Sequence, residues 1–283
     1  MEAGVAVVTG ANTGIGLETA RGLAALGMTV VMTARTRSKG EAAVAEVKQS
    51  TGSAAVELLD LDLAELASVR AAAAGLLERH PRLNLLVNNA GLIVDERRVT
   101  ADGFEMTFGV NHLGPFLFTE LLLDALKSGA PARIVNVASA AHATSRRGLD
   151  FDDLMRERRK YAAMSAYGDS KLANILHALE LSGRLEGSGV TTYAVHPGAV
   201  GTSFGQDGDT SGLFPALFKV AKPLLRTPAR GAATSLYVAT SPDVASHSGR
   251  YYANRKVKRT TKHGRDADAA ERLRAVSATL VGL

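Results

Sequence analysis

The chain reads as a single α/β domain, a doubly wound sheet of about seven parallel strands with helices on both faces. Two patterns carry that reading. Apolar runs of strand length alternate with longer stretches at helical spacing, and the first apolar run opens directly into a glycine-rich turn.

The first strand is expected at 5–9 (VAVVT), with a helix over 15–26 behind it. A second pair follows at 28–34 (MTVVMTA) and 39–49, and a third at 55–61 (AVELLDL) and 66–79. The fourth strand, 83–88 (LNLLVN), precedes a helix at 111–127, and the fifth, 132–139 (ARIVNVAS), precedes one at 165–185. A sixth strand at 190–196 (VTTYAVH), a short seventh near 249–253 (GRYYA) and a final helix around 268–281 close the domain. The strand runs are rich in Val, Leu, Ile and Thr, and mostly continuous rather than alternating. Parallel strands covered on both faces have that composition. Strand–helix–strand units of this kind cross over right-handedly. No repeat, low-complexity tract or linker divides the chain, so residues 1–283 are expected to form one domain.

Composition narrows the classes. A hydrophobic share of 46% in 283 residues supports a large core. The absence of Cys excludes disulfides and thiolate metal sites and suits a reducing compartment. Neither a His-x-x-x-His pair nor an acidic cluster suggests a metal. The chain opens almost directly on VAVVTG, and no apolar run approaches the roughly 20 residues that span a bilayer. The expectation is a soluble, cytoplasmic protein without signal peptide or anchor helix. The net charge of +5 is uneven, with six Lys or Arg in the twelve residues 254–265. That run lacks the interleaved aromatics of a nucleic-acid site. It reads as a solvated surface segment, with an anionic membrane surface as the alternative.

Chemistry is suggested at two places. In TGANTGIG (9–16), Gly10, Gly14 and Gly16 lie between a strand and a helix, where they let backbone approach a pyrophosphate at the helix N-terminus. The spacing differs from the Gly-x-Gly-x-x-Gly fingerprint, yet its position after the first strand indicates a dinucleotide. An acid ending the second strand would favour NAD. That strand ends in Ala34 with Arg35 beside it, and a guanidinium matches the 2′-phosphate of NADP. In SAYGDSKLANILHALE (165–180), Tyr167 and Lys171 are four apart and share one helix face.

Taken together, TGANTGIG, NNAG (88–91), VNHLG (110–114), NVAS (136–139), YGDSK (167–171) and HPGAVGT (196–202) occur in the order seen in short-chain dehydrogenases/reductases. The chain resembles that family along its whole length. VNHLGPFLFTELLL, KLANILHALEL and GVTTYAVHPGAV are similar to its retinol-dehydrogenase-like branch, which includes relatives of protochlorophyllide reductase. The resemblance implies a Rossmann-type, NADP(H)-dependent oxidoreductase. Tyr167 becomes the acid/base, Lys171 its partner and a ligand of the nicotinamide ribose, Ser139 the holder of the substrate oxygen, and Asn111 the end of a water-linked proton relay. A neighbouring ammonium and the nicotinamide charge are expected to lower the Tyr167 pKa. Cofactor contacts are implied at Gly10, Asn12, Thr13, Gly14, Ile15, Gly16, Arg35, Asp62, Leu63, Asn88, Ala90, Gly91, Pro197, Gly198, Val200 and Thr202, besides Tyr167 and Lys171. His112 and His196 fall inside family motifs and are expected to pack or hydrogen-bond.

Two departures stand out. Ala138 replaces the serine common before the catalytic serine, and the gap from Ser139 to Tyr167 is longer than usual. The extra piece, 145–164, is charged and expected to be a solvated flap. A lid is expected at about 204–230, where Leu213, Phe214, Leu217, Phe218, Leu224 and Leu225 suggest an apolar carbonyl or alcohol substrate such as a retinoid, sterol, lipid aldehyde or xenobiotic. With Lys219 and Lys222 it suggests weak peripheral membrane contact shared with the basic run. Homo-oligomerisation fits the family too. The competing class is a non-catalytic dinucleotide-binding scaffold on the same fold. Retention of Asn111, Ser139, Tyr167 and Lys171 argues for the enzyme.

Overall fold

The structure, a computed structural model, describes residues 4–200 and 226–283. Three strand–helix pairs come first: β1 (Val5–Val8) and α1 (Gly14–Ala25), β2 (Thr29–Ala34) and α2 (Arg37–Thr51), β3 (Val56–Asp60) and α3 (Leu66–Arg79). After β4 (Leu85–Asn88), a short helix α4 (Met106–Phe108) runs through a π turn (Gly109–Leu113) into α5 (Gly114–Ser128). Strand β5 (Ala132–Val137) leads through a 3₁₀ turn (Ala140–Thr144) to the long α6 (Ala163–Arg184). Then follow β6 (Val190–His196), α7 (Pro228–Thr240), β7 (Arg250–Ala253), β8 (Lys256–Val257) and α8 (Ala267–Leu280).

The eight strands form one sheet in the order β3-β2-β1-β4-β5-β6-β7-β8, parallel from β3 through β7. Side chains alternate across it. Ala6 and Val8 of β1 pack with Leu23, Val47 and Val238 from α1, α2 and α7, whereas Val7 joins Val69, Leu117 and Leu172 from α3, α5 and α6 on the opposite face. Two cores therefore sandwich the sheet, which is why its strands are apolar on both faces. Strand order reverses between β1 and β4, and the loops leaving their carboxyl ends diverge there to open a crevice.

The structure adds an eighth strand to the expected seven. Asn254 and Arg255 both adopt positive φ, 53° and 59°, and form a two-residue hairpin loop that folds Lys256–Val257 back antiparallel onto β7. The basic run thus begins as a hairpin. Helix α7 is also new. Thr227 accepts a hydrogen bond from the Arg230 backbone N–H, and Pro228 occupies the first turn, so residues 228–230 of the expected lid start a helix instead. The remainder of that lid, and Thr202, lie outside the described residues. The flap expectation needs correction as well. Asp153, Leu154 and Arg156 are buried, and the last two residues of the segment belong to α6. Among the described residues, no helix is long and apolar enough to cross a membrane.

Candidate active site

A cavity of about 600 Å³ lies along the carboxyl edge of the sheet, walled by the loops after β1, β2, β3, β4, β5 and β6. Its floor at one end is the glycine turn. Gly10 and Gly14 adopt φ of +61° and +60°, which L side chains rarely accept. A Cβ on Gly16 would overlap the Gly10 carbonyl oxygen and come within 2.5 Å of Asn89 Nδ2. The Asn89 amide is itself held by the Thr9 carbonyl at 2.8 Å. Helix α1 starts at Gly14 without a side-chain cap and without an acid in its first turn. Its leading N–H groups therefore face the cavity with the positive end of the helix dipole, a cradle fitted to a phosphate. Gly10, Asn12, Thr13, Gly14, Ile15 and Gly16 all line the wall.

Beyond β2 the two arginines separate. Arg37 pairs with Glu41 at 3.1 Å and with Asp60 at the end of β3. Arg35 has no acidic partner among the described residues and lines the cavity with Thr36 and Lys39. Asp62 and Leu63 line the same end, where Asp62 Oδ1 accepts the Ala64 N–H at 2.9 Å. Ala90 and Gly91 line it after β4, but Asn88 does not. Asn88 is buried, and its amide donates to Thr119 and Asn136 at 2.9 and 2.8 Å. Its neighbour Asn89 takes the place on the wall. Alternation along a strand turns adjacent residues to opposite sides, so a one-residue difference in register decides which asparagine faces in.

The other end gathers Ser139, Tyr167 and Lys171. Burial pushes the Tyr167 phenol up to about 12, against a smaller downward pull from the Ser139 side chain. The lysine Nζ lies 5.4 Å from the Tyr167 ring centroid, and its own charge is disfavoured by burial, which holds it down to about 8. It donates to the Val137 carbonyl at 3.0 Å. Asn111 stands one layer back, in the π turn, and does not line the wall. Its amide accepts from Leu92 N at 2.7 Å and donates to Leu92 O and Ser170 Oγ. A Cβ on Gly91 would sit 3.2 Å from Asn111 Oδ1 and 3.3 Å from Lys171 Nζ, so that glycine lets both groups approach.

Pro197, Gly198 and Val200 continue the wall. His196 joins them and accepts the Ala140 N–H at 3.3 Å, its pKa lowered by burial and by Arg226 and His142. His112 is buried against Ser277, 3.0 Å away, and burial lowers it to about 3. Both histidines hydrogen-bond as expected. No group of metal-ligating side chains occurs among the described residues.

One cavity thus holds the glycine turn with an uncapped helix start at one end and Ser139, Tyr167 and Lys171 at the other. The profile of the short chain dehydrogenase family matches residues 4–149, and the chain belongs to that family of oxidoreductases, which act on CH–OH groups with a nicotinamide dinucleotide. Within it the chain falls in the retinol-dehydrogenase-like branch. It is 45% identical over 279 residues to human retinol dehydrogenase 12, covering 99% of this chain and 86% of that one. To human dehydrogenase/reductase SDR family member 13 it is 46% identical, over 98% and 73% of the two chains. Among solved structures, an uncharacterised Mycobacterium paratuberculosis protein superposes with a TM-score of 0.79 at 34% identity, over 99% and 94% of the two chains.

Proposed function

We propose that the chain is an NADP(H)-dependent oxidoreductase that interconverts a carbonyl and an alcohol on an apolar substrate of retinoid type. The observation that carries this is one cavity lined by Ser139, Tyr167 and Lys171 at one end and by Arg35 at the other. Arg35, Thr36 and Lys39 offer cations and a hydroxyl beyond β2, whose last residue, Ala34, has no carboxylate to repel a 2′-phosphate. A bound nicotinamide dinucleotide supplies or takes up the two-electron equivalent.

The residues at the far end handle the proton. A phenol held near 12 stays protonated at neutral pH, so Tyr167 is set to donate its proton to a carbonyl oxygen. In the reverse direction the phenolate, the form that Lys171 favours, takes the proton from the alcohol. Ser139, oriented by the Ala141 N–H that it accepts, holds the substrate oxygen by a second hydrogen bond. Lys171 sits under the tyrosine and favours the phenolate as it forms. Asn111 fixes the Leu92 backbone and Ser170, and so shapes the wall beside Lys171. Leu92, Ile93, Val110 and Met164 supply apolar surface in the same cavity, which suits a retinoid-like chain, and the named activity of the human relatives agrees.

The test is a panel of apolar aldehydes and ketones, all-trans-retinal among them, followed by dinucleotide oxidation with NADPH and with NADH. Turnover with NADPH well above NADH, on apolar carbonyls, is the expected result. Absence of turnover with any carbonyl, or a preference for NADH, contradicts the reading.

A further inference from the structure

We infer that Asp169 is a positioning residue for this reaction, locking the strap that carries Ser139 onto the helix that carries Tyr167, with Arg156 as its counter-charge. The inference rests on the reading of Ser139 and Tyr167 given above. Asp169 lies two residues after Tyr167 on α6, and it is buried. Its Oδ1 accepts the Ser145 hydroxyl at 2.6 Å, and its Oδ2 accepts Arg156 Nη2 at 2.6 Å and Arg159 Nη2 at 3.2 Å. A carboxylate out of water with two guanidinium donors and a hydroxyl has its lone pairs used from three directions.

Each of those partners belongs to the segment between Ser139 and α6. Ser139 caps the 3₁₀ turn by accepting the Ala141 N–H at 3.1 Å, and Ser145 directly follows that turn. The turn lies flat on α6 at Gly168, where a Cβ would overlap Thr144 Oγ1 and sit 2.8 Å from the Ala141 carbonyl oxygen. Gly168 and Asp169, the two residues after Tyr167, therefore grip the strap whose other end is Ser139. Arg156 extends the grip. It is buried, holds a φ of 51°, and donates to Ser165 Oγ at 2.8 Å in the first turn of α6, next to the cavity-lining Met164. Asp153 shapes the piece around Arg156 by accepting the backbone N–H groups of Glu157 and Arg158. A positive φ at a non-glycine residue persists where the surroundings over-determine it, and the ion pair to Asp169 does so here.

The consequence is geometric. The placement of Ser139 beside Tyr167 on the cavity wall depends on the spacing between strap and helix, and Asp169 sets that spacing through Ser145 and Arg156. Asp169→Asn leaves Arg156 buried without its full counter-charge and risks the fold. Ser145→Ala breaks the strap contact alone, and the double variant Asp169→Asn/Arg156→Met removes the buried pair together, leaving Arg159 to Asp153.

The test combines turnover with a readout that needs no activity. Tyrosines carrying ¹³C at Cζ are followed by NMR, and the Tyr167 signal is assigned by its loss in Tyr167→Phe. Expected for Ser145→Ala are a displaced Tyr167 signal, kcat lower by about tenfold, dinucleotide Kd within about twofold, and little change in melting temperature. The double variant gives the same displacement, and Ser145→Thr restores both readouts. An undisplaced Tyr167 signal in Ser145→Ala and in the double variant overturns the inference, whether or not the wild type turns over. So does a kcat loss that follows melting temperature alone and is not rescued by Ser145→Thr. Failure of the functional reading looks different: an inactive wild type whose Tyr167 signal still responds to Ser145.

Discussion

The two ends of the cavity are built by different means. The glycine turn at 9–16 is made by backbone: two positive φ angles, one residue with no room for a Cβ, and a helix start left uncapped. The wall from Ser139 to Lys171 is made by side chains, with a half-buried phenol, a buried ammonium and the Asp169–Arg156 ion pair behind them. Backbone can present the same N–H array to any phosphate, whereas side-chain networks tune one proton and one cavity shape. The first kind of site tolerates almost no substitution. The second is graded, and its parts can be weakened one at a time.

Substitution at Gly16 should show the largest effect. Gly16→Val drives side-chain atoms into the Gly10 carbonyl and the Asn89 amide. Dinucleotide binding should weaken at least 100-fold, roughly 3 kcal/mol or more, as read by fluorescence titration. A variant that folds by circular dichroism and binds like wild type would show that the turn is not the phosphate cradle.

At the other end, Lys171 sharpens the comparison through pH. Its folded pKa of about 8 lies below the ordinary 10.5, so the unfolded chain holds the extra proton between those values. Stability from this group is therefore lost as pH falls toward 8 and gained as pH rises. The tyrosines raised by burial begin to act near their ordinary 10, the top of the window from pH 8 to 10, and because wild type and variant both carry them they cancel in the comparison. Over those two units, at about 1.36 kcal/mol each, wild type should gain close to 3 kcal/mol relative to Lys171→Met in urea unfolding. A flat difference would mean that the lysine is solvated.

The smallest effect belongs to Arg35. Arg35→Asp should weaken NADPH binding by about 1–3 kcal/mol or somewhat more, with NADH affected much less. Equal losses for the two cofactors would remove Arg35 as the source of the preference.

How much was legible in the sequence follows the same divide. The seven parallel strands and six of the helices were readable because continuous apolar runs and helical periods register directly in composition. The glycine turn was readable because three glycines cluster between a strand and a helix, the residue type that takes such φ angles most readily. Helix α7 was passed over, although Thr227 followed by Pro228 is a helix-start signal that could have found it. The hairpin at Asn254–Arg255 had no such warning, since Arg is an unusual residue for a positive φ. Thr36 and Lys39 were missed because exposure on the first turn of α2 looks the same whether or not a cavity lies beneath. Asp169 was hidden most deeply. It lies between Tyr167 and Lys171 with no sequence signal of its own, and its partner Arg156 lies 13 residues away in a segment whose charge suggested solvent. Burial of a charge is a tertiary fact, and only packing reveals it.

The central claim is that the proton moves at Tyr167 while the dinucleotide is held mainly elsewhere. Measuring kcat and NADPH Kd together for Tyr167→Phe tests it most directly. The account predicts that kcat falls by roughly 10²–10⁴-fold, the range for loss of a general acid, while Kd stays within a few-fold of wild type. Substantial turnover in the variant, or a Kd that collapses along with kcat, would contradict it.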